Sequence, residues 1–110
     1  MNVRMVQKML NFSKLFHSSN YEEYYLYDDD LDIGKMQIIY KNHIEINLLL
    51  VLSAIEQRTN VNDLNDYLDD ILSEVEYFSC SLIENIYERI EITLFVGNIV
   101  GEKTIERNIS

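Results

Sequence analysis

The sequence predicts a mostly α-helical fold, a small helical bundle in which a short β-hairpin can be placed between the first and second helices. Two observations lead to this prediction: three segments carry apolar residues at helical spacing, and the third begins with residues that cap helices well. An α+β fold with a C-terminal strand is the alternative, because one segment near the C-terminus also alternates as a strand does.

The first helix is predicted over residues 3–16. The serine and asparagine residues at 18–20 compete with the helical backbone for hydrogen bonds and favour its end. Apolar side chains recur at steps of four, three and four residues, which places them on one helical face: they are Met5, Met9, Phe12 and Phe16.

A β-hairpin is predicted in the segment rich in tyrosine and aspartate that follows. Tyrosine is typical of strands, whereas aspartate and glycine are typical of turns. Residues 24–27 are therefore expected to pair with residues 36–40 across an aspartate-rich turn that Gly34 closes.

The second helix is predicted over residues 42–58, with Asn42 as its N-cap. Its middle is apolar nearly all round, so it is expected to be the most buried element. The apolar positions again step by four, three and four residues: they are Ile44, Leu48, Val51 and Ile55.

The third helix has the strongest periodic signal and is predicted over residues 63–90. Asn62, Asp63 and Asp66 can bind free N–H groups and meet the positive end of the helix dipole. The apolar stripe behind them alternates steps of four and three: it consists of Leu64, Leu68, Ile71, Val75, Phe78 and Leu82.

The length of this helix creates a conflict. A straight helix over residues 63–90 would be about 42 Å long, more than a compact domain of this size spans. It is therefore expected either to break at residues 79–81 or to protrude and pair with a second copy of the chain. Residues 89–96 alternate in character, so a strand there is the competing interpretation.

Length and composition favour one intracellular domain. The 110 residues, 47% of them hydrophobic, suffice for one core, and residues 103–110 are expected to form a flexible tail. The single cysteine, Cys80, excludes an internal disulfide, fits a reducing cytoplasm and is expected to be a small core residue. No apolar run approaches the roughly 18 residues of a membrane span.

The net charge of −10 favours a basic protein as the partner. Nucleic acids and anionic membranes are bound through cationic surfaces, so neither is expected to bind directly. The alternative is that the charge only keeps the protein soluble.

No pattern points to catalysis or to a cofactor, so an enzyme is not expected. His17, His43 and Cys80 lie in three different predicted elements and match no catalytic spacing. The chain is expected to act by binding.

No metal site is predicted either. Asp28, Asp30 and Asp32 share the spacing that opens an EF-hand calcium loop. However, Gly34 falls at the seventh position instead of the sixth, and Ile39 stands where the closing glutamate is needed. A solvated acidic turn is the expected structure.

Two acidic segments form the predicted partner-binding surface. Residues 59–88 contain no basic residue, and their carboxylates line the polar face of the third predicted helix at a spacing comparable in scale to that of nucleic-acid phosphates. Tyrosine is typical of interfaces, and carboxylates pair with arginine or lysine. The predicted residues are Tyr24, Tyr25, Tyr27, Asp28, Asp29, Asp30, Asp32, Asp63, Asp66, Asp69, Asp70 and Glu74.

The functional prediction is a small acidic inhibitor or regulator that imitates a nucleic acid and blocks the basic groove of a nucleic-acid-handling protein. Size and composition suggest a phage or mobile-element protein that counters host defence. One alternative is an immunity protein or antitoxin that neutralises a basic toxin. The other is a structural or regulatory homodimer assembled through the long third helix.

Overall fold

The computed structural model describes residues 10–82 and 89–106 and has an α+β architecture. One five-stranded mixed sheet carries one main helix on one face. The elements are β1 (Leu10–His17), β2 (Tyr21–Asp28), β3 (Leu31–Tyr40), β4 (Ile44–Val51), α1 (Leu52–Ile55), α2 (Leu64–Leu82) and β5 (Ile90–Gly97). The prediction of a mostly α-helical bundle is therefore wrong.

The sheet has the strand order β1-β2-β3-β4-β5. The first four strands form an antiparallel meander, and β5 runs parallel to β4. Because parallel neighbours need a crossover connection, the chain passes through α1 and α2 before it returns as β5.

The sheet buries one face against α2. Along β2 and β4 every second side chain is buried, the period of two that a strand with one covered face requires. The same alternation in β3 is interrupted at Ile33 and Gly34, where the register with β2 shifts. Ile71 and Val75 of α2 are fully buried in the same core, and the ring of Phe78 stacks on Phe12 of β1 with centroids 4.0 Å apart.

The first two predicted helices are wrong, because the described parts of both segments form strands. Residues 10–17 are the edge strand β1, residues 44–51 are β4, and only Leu52–Ile55 is helical in the second segment. The buried residues of β4 recur at every second position, the period of a strand and not of a helix: they are Ile44, Ile46, Leu48 and Leu50. Residues 3–9 of the first prediction lie outside the described residues.

The third prediction is right about the start of the helix and wrong about its end. Helix α2 begins at Leu64, where Asn60 Oδ1 accepts a hydrogen bond from Asp63 N at 3.0 Å. The hydroxyls at positions 79 and 81 do not break it, because Ser79 donates to the carbonyl of Val75 and Ser81 to that of Phe78. Residues 83–88 lie outside the described residues, and β5 confirms the alternative of a C-terminal strand.

The predicted hairpin is present and is longer than expected. Its register differs from the prediction, because of residues 24–27 only Tyr24 pairs within residues 36–40, with Met36, and Tyr25 to Tyr27 pair with residues 32–35. The turn consists only of Asp29 and Asp30, with Asp29 at a φ of 59°, and Gly34 lies within β3 instead of closing the turn.

The predicted tail is described as far as residue 106, and residues 103–106 belong to no helix or strand. Cys80 is exposed on α2, so its predicted burial is wrong.

Candidate functional site

The tip of the β2–β3 hairpin meets the first half of α2. The Tyr67 hydroxyl donates a hydrogen bond to Asp28 Oδ2 at 2.6 Å, which joins residues 39 positions apart in the sequence. Burial and this bond to a carboxylate raise the pKa of Tyr67 above its ordinary value, because both disfavour the phenolate. Tyr67 is therefore a donor that fixes the position of Asp28.

Arg58 braces the same junction from the segment between α1 and α2. Its Nη2 donates to the main-chain oxygen of Asp28 at 3.2 Å and lies 3.6 Å from Asp30 Oδ1. Its Nε lies 4.0 Å from Asp28 Oδ2. The hairpin tip is thus tied to the helical layer by one cation and one phenol.

An open groove of about 560 Å³ runs beside this junction. Glutamate, aspartate and asparagine side chains line it together with Arg58 and Tyr67. Asp63, Asp66 and Asp70, which the sequence placed on one helical face, all border this groove.

Seven exposed carboxylates surround the groove and the hairpin tip, and we call them the acidic surface. Arg58 is the basic residue among the groove-lining residues. Asp28 lies at the base of this surface, with a side chain only 15% exposed. The acidic surface consists of Asp29, Asp30, Glu56, Asp63, Asp66, Asp69 and Asp70.

Glu74, which was predicted to be a partner-binding residue, does not belong to this surface. It is 9% exposed on the side of α2 that faces the sheet, and its Oε1 accepts a hydrogen bond from the main-chain N–H of Leu10 at 2.9 Å. The bond links the sheet-edge strand β1 to α2 across 64 residues of sequence. Glu74 follows Asp70 by four residues. At 3.6 residues per turn this step rotates the side chain by about 40° beyond a full turn, which brings Glu74 from the solvent side of α2 towards the sheet.

Tyr24, also a predicted partner-binding residue, lies outside the acidic surface. Its side chain lies in the core, and its hydroxyl donates to Glu22 Oε2 at 2.8 Å. Burial, followed by the bond to Glu22, raises the pKa of Tyr24. The alternation of the strand determines this placement, because Tyr24 takes an inward position of β2.

Three further predicted partner-binding residues, Tyr25, Tyr27 and Asp32, lie on β2 and β3 away from the groove. Tyr25 and Tyr27 are half-buried on the sheet face opposite to Tyr24, and their ring centroids are 6.3 Å apart. Asp32 is exposed, and its Oδ1 accepts a hydrogen bond from the main-chain N–H of Gly34 at 3.1 Å. These three residues are therefore not part of the acidic surface.

Sequence reasoning missed Arg58, Tyr67 and Glu56 as parts of the site. Arg58 and Glu56 belonged to the second predicted helix, which was expected to be buried. Tyr67 belonged to the third predicted helix, but neither to its apolar stripe nor to its acidic face. A correct hairpin turn at Asp29 and Asp30 would have placed Asp28 at a strand end, in reach of a donor from a covering helix.

Among the residues that the structure describes, one group could hold a metal ion, and it lies away from the acidic surface. His43, Glu45 and Glu91 meet where β4 and β5 begin.

In the described ranges, no helix is both long and apolar enough to cross a membrane. Comparisons of the chain with protein-family models, with curated proteins and with solved structures gave no match.

Proposed function

We propose that the chain is a stoichiometric inhibitor or regulator that places its acidic surface in the cationic groove of a nucleic-acid-handling protein and so excludes the nucleic acid. The observation that carries the proposal is the junction of two acidic segments, distant in the sequence, into one surface around Arg58 and Tyr67. The partner is defined by its chemistry as a basic, nucleic-acid-binding protein.

The charge pattern of the acidic surface supports this proposal. Asp66 and Asp70 are one helical turn apart, so their carboxylates follow each other at roughly 5–6 Å along the solvent side of α2. The hairpin tip adds the exposed carboxylate of Asp30, whose Oδ1 lies 3.6 Å from Nη2 of the groove-lining Arg58. A cationic groove that holds a phosphate backbone offers arginine and lysine side chains at a comparable scale.

The bracing of the hairpin tip also supports the proposal. Asp28 is held by Tyr67, and Asp30 lies within ion-pair distance of Arg58. Because these groups are positioned before binding, less conformational entropy is lost when the partner docks. Arg58 neutralises part of the surface, so the exposed acids of α2 carry most of the attraction.

Charge reversal of two groove-lining residues tests the proposal. Asp66→Lys combined with Asp70→Lys removes attraction and adds like-charge repulsion at the centre of the surface. Glu102→Lys combined with Glu106→Lys is the matched control, since it changes the net charge equally at exposed positions outside the helix and the sheet. The control is expected to be as stable as the parent, because surface changes away from caps usually shift stability by under about 0.5 kcal/mol. Asp66 lies in the first turn of α2, so its reversal also costs about 0.3–1 kcal/mol of interaction with the helix dipole, and circular dichroism should confirm that both variants remain folded.

The measurement has two stages. The parent chain is cross-linked in nuclease-treated extract of its source cells, the captured protein is purified, and competition with a labelled DNA or RNA duplex is followed by fluorescence anisotropy. The parent is expected to displace the duplex, and the Asp66/Asp70 variant to lose roughly 100-fold or more in affinity, about 2.7 kcal/mol. The control variant should lose much less. Equal affinity and equal salt dependence of the parent and the Asp66/Asp70 variant would refute the proposal.

A further inference from the structure

Two carboxylates lie side by side on neighbouring strands at the start of β5. Glu45 of β4 and Glu91 of β5 are register partners in the parallel pair, so their side chains project from the same face of the sheet. Like charges in this position repel each other unless positive groups offset the repulsion.

The imidazole of His43 faces both carboxylates. Its Nε2 lies 3.2 Å from Glu45 Oε1 and 3.4 Å from Glu91 Oε2, and one ligand atom from each residue falls within 4.8 Å of the others. In a tetrahedral zinc site with bonds of about 2.0–2.1 Å, neighbouring ligand atoms are about 3.3–3.4 Å apart. The distances from Nε2 therefore match two edges of such a tetrahedron.

The ring nitrogen makes no hydrogen bond at this position. Nε2 of His43 is buried, and among the described residues no partner meets it with hydrogen-bond geometry, although two carboxylate oxygens are near. A buried nitrogen without a hydrogen bond costs free energy unless another group satisfies it. A cation between the three side chains would satisfy the nitrogen and both carboxylates at once.

Two basic residues flank the carboxylates and limit the affinity of such a site. Arg89 Nε lies 3.3 Å from Glu91 Oε1, which leaves Oε2 directed towards His43. Lys41 Nζ lies 3.3 Å from both oxygens of Glu45 and must retain only Oε2 when Oε1 binds a cation. Their charges hold the carboxylates in place and oppose a cation, so binding in the micromolar range is expected instead of the nanomolar range.

We propose that His43, Glu45 and Glu91 form a binding site for a divalent zinc-type ion. One nitrogen and two oxygens are a ligand set that zinc accepts, with a fourth position left for water. Glu91 is half-exposed, so the ion can enter from solvent. The ion would fasten β5 to β4 at the point where the parallel pair begins, independently of the acidic surface.

Calorimetric titration of chelator-treated protein with ZnCl₂ tests the site. The parent for these titrations and every variant made from it carry Cys80→Ser, because the exposed thiol of Cys80 could bind zinc by itself. One ion per chain is expected in the parent, with at least tenfold weaker binding after Glu91→Gln, a change that keeps the shape of the side chain. Co²⁺ in place of Zn²⁺ should give the intense visible absorption of tetrahedral coordination.

His17→Ala is the matched control. His17 Nδ1 lies 2.9 Å from Glu22 Oε1, so this histidine is paired with one glutamate where His43 faces two. Removing the imidazole of His17 should therefore leave the zinc affinity unchanged. Zinc should also raise the urea midpoint of the parent and of His17→Ala, and should raise that of Glu91→Gln less at the same zinc concentration, since a ligand stabilises the folded state in proportion to how tightly it binds. No binding tighter than about 1 mM, or equal weakening by His17→Ala and Glu91→Gln, would overturn the proposal.

Discussion

Asp28 and Asp30 are two positions apart and have different surroundings. The side chain of Asp28 is 15% exposed and accepts the hydrogen bond of Tyr67, whereas the side chain of Asp30 is 95% exposed. The tight turn at Asp29 directs the first towards the helical layer and the second towards solvent. One aspartate therefore stabilises the hairpin tip, and the other, which lies 3.6 Å from Arg58 Nη2, remains accessible to a partner from solvent.

Tyr67→Phe is expected to lower the free energy of unfolding by about 1–3 kcal/mol at neutral pH, because a hydrogen bond to a part-buried carboxylate is lost. Urea denaturation measures the change. Tyr77→Phe is the control, since Tyr77 lies on the same helix and is 81% exposed. A loss equal to that of the control would contradict the role given to the Tyr67 hydroxyl.

The same residue gives a dependence of stability on pH. The pKa of Tyr67 is raised in the folded chain above the value of 10.0 for a free tyrosine, so the folded state holds the phenolic proton more tightly than the unfolded state. This contribution is fully present below about pH 10 and is lost as the pH rises above it. The alkaline loss of stability should be smaller in Tyr67→Phe and should not vanish, because burial also raises the pKa of Tyr24.

Among the elements, β3 depends on a glycine for its closest contact with β4. Gly34 has a φ of +150°, and a Cβ on it would lie 2.1 Å from the main-chain oxygen of Leu49. The register between β2 and β3 shifts at the same place, between Leu26 and Tyr27. The glycine therefore allows a bulge in the centre of the sheet without a collision.

Gly34→Ala is expected to destabilise the protein by several kcal/mol, since backbone atoms of β4 must move and the dihedral angle is strained. Gly97→Ala is the matched control at the end of β5, where an added Cβ meets nothing within 4 Å. Chemical denaturation of both variants gives the comparison. Similar stabilities would mean that β3 and β4 separate more easily than their spacing indicates.

The extent to which each element could be predicted depends on how many of its faces are covered. Helix α2 has one covered face and a charged outer face, so its stripe and its first turn could be predicted. Strand β4 has apolar residues at 48–51 on both faces, and such a run fits a buried helix and a strand equally well. The β-branched residues of β4 favoured a strand, but the abundance of isoleucine in the whole chain made that signal look unspecific.

For the whole molecule, the acidic segments could be predicted and their meeting could not. Spacing along the chain placed Asp63, Asp66 and Asp70 on one side of a helix; in the structure Asp63 immediately precedes α2, and all three residues border the same groove. The contact between Asp28 and Tyr67 depends on the crossover that lays α2 over the sheet, and no local pattern specifies it. The proposed zinc site could not be predicted for the same reason, since Glu45 and Glu91 come from strands that are adjacent only in space.

The net charge of −10 predicts how salt acts on the free protein. Repulsion among the carboxylates of the acidic surface destabilises the folded state, and salt screens it. The urea midpoint is therefore expected to rise between about 10 mM and 300 mM NaCl, and to rise less in Asp66→Asn combined with Asp70→Asn. A midpoint that falls with salt would indicate that exposed ion pairs outweigh the repulsion.

The parallel position of β5 determines the order in which the sheet can assemble. Strands β1 to β4 are joined by short loops, so each pairs with a neighbour that is close along the chain, whereas residues 52–89 separate β4 from β5. Closing the longer loop costs more chain entropy and requires α1 and α2 in place. During refolding, pulsed hydrogen exchange should therefore protect the amides of β2 and β3 before those of β5. Until then the outer edge of β4 is open, and the nascent sheet can take a strand from another chain there.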